Sequence, residues 1–254
     1  MPSHFRSFAA ASLCASLFFS SNSNAALINR GGGLIYDTAL NITWLSKANY
    51  AAIELNDVRR NEIIAETASI DGHVLSENDF GKSVSGEYYN GLMTWWGAKA
   101  WTQALTYAGF SDWRLPVALH PDPTCSLQGD TYSYGYGCMG SELGHLFYVD
   151  FDGTAGQDVE RALNKQNFDL FSGLTRPVSL YSNIQAYLAW TENEFAISPT
   201  YGWMFFFTDG TQYTDIKSHY YYAWAVRDGD VRPSRHPGNL RDAGRTGPQA
   251  GRAG

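Results

Sequence analysis

The pattern of apolar and polar positions first marks the two ends of the chain. From Phe8 to Phe19 the residues are small or apolar and broken only by Ser12 and Ser16, after a short basic start at His4 and Arg6. The run is too short to anchor in a bilayer. It leads through a polar stretch, Ser20 to Asn24, into Ser23-Asn24-Ala25, with small residues where a signal peptidase reads. This pattern predicts a signal peptide over 1–25, cut after Ala25 or Ala26, and hence an exported chain that is periplasmic, secreted or associated with the cell surface. Cys14 follows Leu13 rather than the small residue a lipoprotein signal wants, so no lipid anchor is expected. At the far end, 232–254 loses its aromatics and becomes Arg, Gly, Pro and Ala with one acid, Asp242. That composition cannot bury a core and reads as a disordered basic tail.

Between the ends, period and punctuation predict the elements. Leu34 to Asp37 and Ile42 to Leu45 are short apolar runs joined by a few turn residues, a β-hairpin opening the domain. Ala51 to Ala68 reads as a helix with Ile53, Val58, Ile63 and Ile64 toward one side, and Asp71 to Tyr89 as a polar surface loop. Thr94 to Ala108 is the clearest helix: Thr94 as cap, Trp101, Leu105 and Ala108 at helical spacing, and Gly109 where a left-handed terminator belongs. Asp112 to Pro116 is a strand-like exit, and a short helix starts at Ser141 as cap and runs through Phe147. The last third is antiparallel: Tyr187 to Glu192, Gly202 to Thr208, a tight Asp209-Gly210 turn, Thr211 to Thr214, and Tyr220 to Arg227. These elements give an α+β fold with a mostly antiparallel sheet, two or three helices and long loops. No transmembrane span is predicted in the mature chain.

Charge and cysteine content sharpen this picture. The chain sums to −7, but its tail disguises the domain. Setting aside Arg6 and five tail arginines leaves 12 of 18 basic residues, and setting aside Asp242 leaves 24 of 25 acids, so 26–231 stands at −12. Such a surface repels nucleic acid and anionic lipid. About 205 residues suffice for one domain with a real core. Cys125 and Cys138 are the two cysteines left after signal removal, and an even count in an oxidising compartment predicts a disulfide.

The tail carries a further expectation. Pro237 to Gly247 can be encoded so that a one-base shift reads Pro-Glu-Thr-Tyr-Ala-Met-Leu-Ala-Gly-Leu-Gly, which resembles the start of the PEP-CTERM sorting signal of exopolysaccharide-producing bacteria. The gene's own codons decide this frame.

Taken in order, Gly33-Leu34-Ile35-Tyr36-Asp37 with Thr43-Trp44-Leu45, Gly91 to Trp95 with the helix through Trp101, Asp112-Trp113-Arg114-Leu115-Pro116, Gly140 to Tyr148, Tyr187 to Glu192 and Ala223 to Arg227 resemble the family named for the C-terminal domain of the Legionella collagen-like protein (Lcl), a domain of unknown function. The resemblance spans nearly the whole mature domain. It implies a C-type-lectin-like, formylglycine-generating-enzyme-like fold with paired terminal strands. It also implies membership of the subgroup in which a Cys-bounded loop accompanies a PEP-CTERM signal. The chain departs from that pattern by lacking the signal in frame and by a longer helical insert near 54–68.

Candidate chemistry is sparse. Asp150-Phe151-Asp152-Gly153 with Asp158 offers carboxylates for a calcium loop, although Gly153 stands fourth rather than sixth and no Glu closes the twelfth position, which excludes an EF-hand. Glu142 and His145, one helical turn apart, lack the second pair that a di-metal bundle supplies. Trp190-Thr191-Glu192-Asn193 is similar to the sugar-binding strand of calcium-dependent lectins and makes Glu192 and Asn193 ligand candidates, though no partner Glu-Pro-Asn loop accompanies it. Tyr132, Tyr134 and Tyr136 in the Cys-bounded loop are candidates for stacking on a sugar face, whereas Tyr220 to Tyr222 read as core. No nucleophile elbow, zinc-protease motif or phosphate loop is present, and the formylglycine-type Cys pair has a different context. The expected function is binding of a polysaccharide or matrix glycan without catalysis. Self-association as a structural matrix protein, or an exported enzyme of another mechanism, are the alternatives.

Overall fold

A computed structural model describes residues 26–81, 91–172 and 188–231. The signal-peptide and tail readings, the second half of the 71–89 loop and Tyr187 lie outside the described residues.

The chain opens with β1 (Leu27–Gly31), β2 (Leu34–Asp37) and β3 (Ile42–Leu45), so the expected hairpin is present and extended by one strand. The predicted 51–68 helix is two helices, α1 (Ala51–Glu54) and α2 (Asp57–Thr67). Leu55 is extended, and the Asn56 side chain accepts from the Arg59 N–H, starting a new helix where the run was read as continuous. Its apolar face is narrower than expected: Ile63 is buried, while Ile53 and Val58 are exposed. A small hairpin follows, β4 (Ser69–Ile70) and β5 (His73–Val74), then a 3₁₀ turn at Glu77–Phe80.

After β6 (Leu92–Met93), α3 (Trp95–Ala104) begins where expected, with Thr94 Oγ1 accepting from Gly97 N at 3.2 Å. It stops four residues early. Leu105 turns extended, and Ala108 and Gly109 both take positive φ in a tight turn in which Tyr107 and Phe110 exchange backbone hydrogen bonds. The loop beyond holds β7 (Leu127–Gln128) and β8 (Ser133–Tyr134). Helix α4 (Glu142–His145) runs into a π-helical turn, Leu146–Asp150. Ser141 precedes it but does not cap it with its side chain; the hydroxyl accepts from Leu119 N instead. Gly144 is required by close approach, because a Cβ there would lie 1.9 Å from the Cys138 carbonyl oxygen.

Helix α5 (Lys165–Phe168) precedes the main sheet strands β9 (Leu188–Glu194), β10 (Tyr201–Phe206) and β11 (Thr211–Ile216). The run read as one strand over 220–227 is two, β12 (Tyr221–Tyr222) and β13 (Val226–Asp228). They belong to different sheets. The first sheet has the order β1-β2-β3-β13 and the second β11-β10-β9-β12-β6. All pairings are antiparallel except β12 with β9. The fold is thus α+β with mostly antiparallel sheets and few helices. No described helix is long and apolar enough to cross a membrane.

Where the chain passes from one sheet to the other, Ala223, Trp224 and Ala225 are buried. Trp224 meets Trp44, Phe171 and Phe207 at ring distances of 5.1, 5.3 and 5.8 Å, and its indole N–H donates to the Leu45 carbonyl at 2.7 Å. Both sheets and α3 share one apolar cluster, in which Trp95, Trp101 and Trp190 are also fully buried. Arg114 closes the outside of this junction. It exchanges backbone hydrogen bonds with Val226 and places its guanidinium on both oxygens of Glu142, at 2.8 Å each, and on Asp228 at 2.7 Å.

Cys125 and Cys138 form the expected disulfide. Closing a loop of this span is worth about 3 kcal/mol in the chain-entropy account. Replacing both cysteines with serine should therefore lower stability in urea titrations by about 3 kcal/mol. Equal midpoints for the variant and the oxidised protein would show that hydrogen bonds alone hold the loop.

Candidate functional site

The disulfide loop is ordered from its own sequence upward. Asp122, fully buried, acts as its hub: one carboxylate oxygen accepts from the Thr124 backbone and hydroxyl, the other from Gly140 N, and its carbonyl accepts from Gln128. The Asp122 N–H donates to Ser133 Oγ at 2.6 Å. Asp122 also lies beside the two cysteine sulfurs, but these are bonded to each other and supply no metal ligand. Gly135 and Gln212 exchange backbone hydrogen bonds, 2.9 and 2.8 Å, so the loop is stitched to the outer strand β11.

This stitching builds an aromatic hollow. Tyr132, Tyr134, Phe195, Trp203, Tyr213 and Thr214 line a cavity of about 200 Å³. Tyr132 and Tyr134 stack at 6.0 Å with planes 23° apart; Phe195 stands edge-on to Tyr132 at 5.4 Å and to Trp203 at 5.5 Å, and Tyr213 edge-on to Tyr134 at 5.6 Å. Trp203 is only 2% exposed yet lies outside the main apolar cluster, on the sheet face that the loop covers. Behind it, His120 stacks on its ring at 3.7 Å. The lining holds rings, three phenol hydroxyls and the Thr214 hydroxyl, but no carboxylate, imidazole, ammonium or thiol. Such a site can hold an amphipathic ligand; it brings no acid–base pair to one.

His120 gives the hollow a pH signature. Neither ring nitrogen has a hydrogen-bond partner, and burial, partly offset by the Asp122 carboxylate, pushes the imidazole down to about 4 from 6.5. The unfolded chain takes up this proton below about 6.5 and the folded one only near 4, so stability holds above 6.5 and falls as pH drops through that window. The full gap corresponds to about 3 kcal/mol. Because solvent reaches part of the ring, a loss of about 1–2 kcal/mol is expected. His120→Phe, which keeps the stack, should flatten this portion of the pH–stability curve; an unchanged slope between pH 6.5 and 4 would remove His120 as its cause.

The structure distributes the sequence-predicted candidates unevenly. Tyr132 and Tyr134 line the hollow, whereas Tyr136 is 39% exposed and is not part of the lining. Glu192 pairs with Lys99 at 3.0 Å, and Asn193 Oδ1 accepts from Ala118 N at 2.8 Å, so both serve the scaffold on β9. Of the tyrosines read as core, Tyr221 and Tyr222 are half-buried against it, while Tyr220 lies outside it and donates to the Asn78 carbonyl. Asp150, Asp152 and Asp158 do not converge. Asp150 is buried, Asp152 is exposed at a positive φ, and Asp158 accepts from Glu160 N to start a 3₁₀ turn. Among the described residues no metal-ligating cluster joins these three. Glu142 is committed to Arg114 and the Val117 N–H, which separates it from His145 as a ligand pair.

Sequence reasoning missed Phe195, Trp203, Tyr213 and Thr214. The Asp-Gly turn identified β10 and β11 as a hairpin, but nothing local says which face of that hairpin the disulfide loop covers. A larger hollow, about 660 Å³, opens beside Glu54–Glu62. It is formed by one contiguous charged stretch without an aromatic ring, and lacks the convergent walls of the smaller one. Comparison with protein-family profiles, with curated proteins and with solved structures gives no match for this chain.

Proposed function

We propose that residues 26–231 are an exported, non-catalytic domain that binds a polysaccharide or matrix glycan, with a C-type-lectin-like arrangement. One observation carries this reading: the hollow in which Tyr132, Tyr134, Phe195, Trp203 and Tyr213 converge around a polar hydroxyl at Thr214. A pyranose ring presents an apolar C–H face to such rings and hydroxyls to phenols, and tyrosines lose little conformational freedom on ordering. The volume suits one sugar unit. The arrangement is supported by the junction of the opening strands with β13 in one sheet, by the second antiparallel sheet and by the disulfide-closed loop laid on its face. The net charge of −12 over 26–231 disfavours strongly anionic glycans and favours neutral ones.

Stacking needs no cation, and with Glu192 and Asn193 occupied, calcium is not part of the proposed contact. Calorimetry of the intact chain with neutral and acidic polysaccharides, each with and without a chelator, tests this. Binding of a neutral polymer that survives chelation is expected; silence toward every polymer defeats the reading.

A second reading, self-association, has its own observation. Leu119, Leu127, Tyr136 and Met139, on the disulfide loop and the segment it packs against, are each between 39% and 48% exposed. Light scattering that finds a strict monomer at all concentrations dismisses it.

A further inference from the structure

Three polar side chains from separate parts of the chain meet inside the fold, and each turns at least one unpaired atom toward the others. Asp37 ends β2 and is 0% exposed; Asp150 ends the π-helical turn and is 1% exposed; His145 closes α4. One oxygen or nitrogen from each lies within 4.8 Å of the other two, and His145 Nε2 is 3.8 Å from Asp150 Oδ2. Four buried atoms here make no hydrogen bond: Asp37 Oδ2, both carboxylate oxygens of Asp150 and His145 Nε2. Unpaired buried carboxylates are costly, and two side by side more so. We propose that Asp37, His145 and Asp150 bind a divalent transition-metal ion, with zinc or manganese as the fitting chemistry.

The donor set is one imidazole nitrogen and two carboxylate oxygens. That mixture suits borderline first-row ions better than calcium, which prefers an all-oxygen shell. The 3.8 Å separation is close to the edge of about 3.4 Å in a tetrahedron with bonds of about 2.1 Å. The ligands are held from behind, as metal ligands usually are. The second oxygen of Asp37, Oδ1, accepts from Ala39 and Leu40 N–H at 2.9 and 3.1 Å. The Asp150 carbonyl accepts from the side chains of Asn164 and Asn167 at 3.0 and 2.9 Å. The π turn itself, with Phe151 N donating to Leu146 O, brings Asp150 round onto the side of His145; such irregular turns often sit at functional positions. Two carboxylates buried side by side, with no lysine or arginine paired to either among the described residues, leave this pocket short of positive charge.

A proton shared between the two carboxyls is the competing way to meet that demand. It would pair two of the four atoms and leave His145 Nε2 and an Asp150 oxygen unpaired, whereas one ion engages all three side chains. The inference is independent of the glycan reading, because neither Asp37, His145 nor Asp150 lines the aromatic hollow.

The test uses the purified full chain, stripped with a chelator, reloaded with zinc or manganese and passed through gel filtration before elemental analysis. About one equivalent of metal per chain is expected, with a metal-dependent rise in thermal midpoint. Asp150→Asn, isosteric with the protonated carboxyl, should retain about a tenth as much metal and lose that rise while keeping the far-ultraviolet spectrum of the fold. Should that variant fail to fold, His145→Gln reports the same loss. Asp152→Asn should behave like the parent. A stripped protein that takes up neither metal and whose midpoint does not move overturns the proposal in favour of a shared proton. Uptake undiminished in both ligand variants overturns it in favour of adventitious binding elsewhere.

Discussion

Replacing Trp224 with alanine should lower the unfolding free energy by about 3–5 kcal/mol, a large share of a typical domain's total stability. The indole is fully buried where the two sheets exchange the chain, touches Trp44, Phe171 and Phe207, and donates to the Leu45 carbonyl. Alanine would leave a cavity bordered by rings too large to collapse into it, and would orphan a buried carbonyl oxygen. With a urea dependence of about 2 kcal/mol per molar, the midpoint should fall by about 2 M. Trp96 gives the contrast. It is half-buried and stacked on His73 at 4.0 Å near the surface, so Trp96→Ala should cost about 1 kcal/mol. If the two variants unfold at the same urea concentration, the sheet junction is not the centre of the fold.

The second large effect concerns binding. On the proposed glycan reading, Tyr132→Ala should weaken affinity for the polysaccharide about 10-fold to 100-fold, the loss of one aromatic face being worth about 1–3 kcal/mol. Tyr132 touches both Tyr134 and Phe195, so its removal also loosens its neighbours. Tyr134→Ala should act similarly, and the double variant should fall short of the sum because the rings share contacts. Tyr136→Ala, outside the lining, should change affinity by less than about 3-fold on the same grounds. Titration calorimetry with thermal unfolding alongside separates lost contacts from lost folding. A Tyr132→Ala variant that is fully folded and binds as tightly as the parent removes the hollow as the site.

The elements most legible in the sequence were those whose signals are local. The hairpin of β2 and β3, the capped start of α3, the Asp209-Gly210 turn and the disulfide each depend on a few neighbouring residues, and the structure contains all of them. Errors arose where one continuous pattern serves two surroundings. The 51–68 run looks uniformly helical, yet Asn56 offers its side chain to a new helix start. Tyr220 to Arg227 reads as one strand, because nothing in its alternation reveals that Tyr222 pairs with β6 and Val226 with β3. Ser141 has the composition of a cap, but Leu119 captures its hydroxyl.

The candidate site was only half legible for a related reason. Tyr132 and Tyr134 stand out in a glycine-rich loop, where side chains have little core to join. Trp203 and Tyr213 sit in ordinary strand alternation, and become site residues only through Gly135 and Gln212, a long-range pairing. Asp37 and Asp150 are 113 positions apart by their numbers, and no spacing rule connects them.

The pairing of β13 with β3 also sets a timetable. The Trp224 indole and the Leu45 carbonyl it binds are 179 residues apart. At a synthesis rate of about 5–20 residues per second, the first sheet waits about 10–35 s for its last strand. Until then β3 lacks its edge partner and Trp44 lacks the Trp224 ring it packs against. Such non-local closure folds slowly once the chain is complete. A polypeptide built this way cannot complete its first sheet until nearly all of it has been made, so its earliest strands wait on its last.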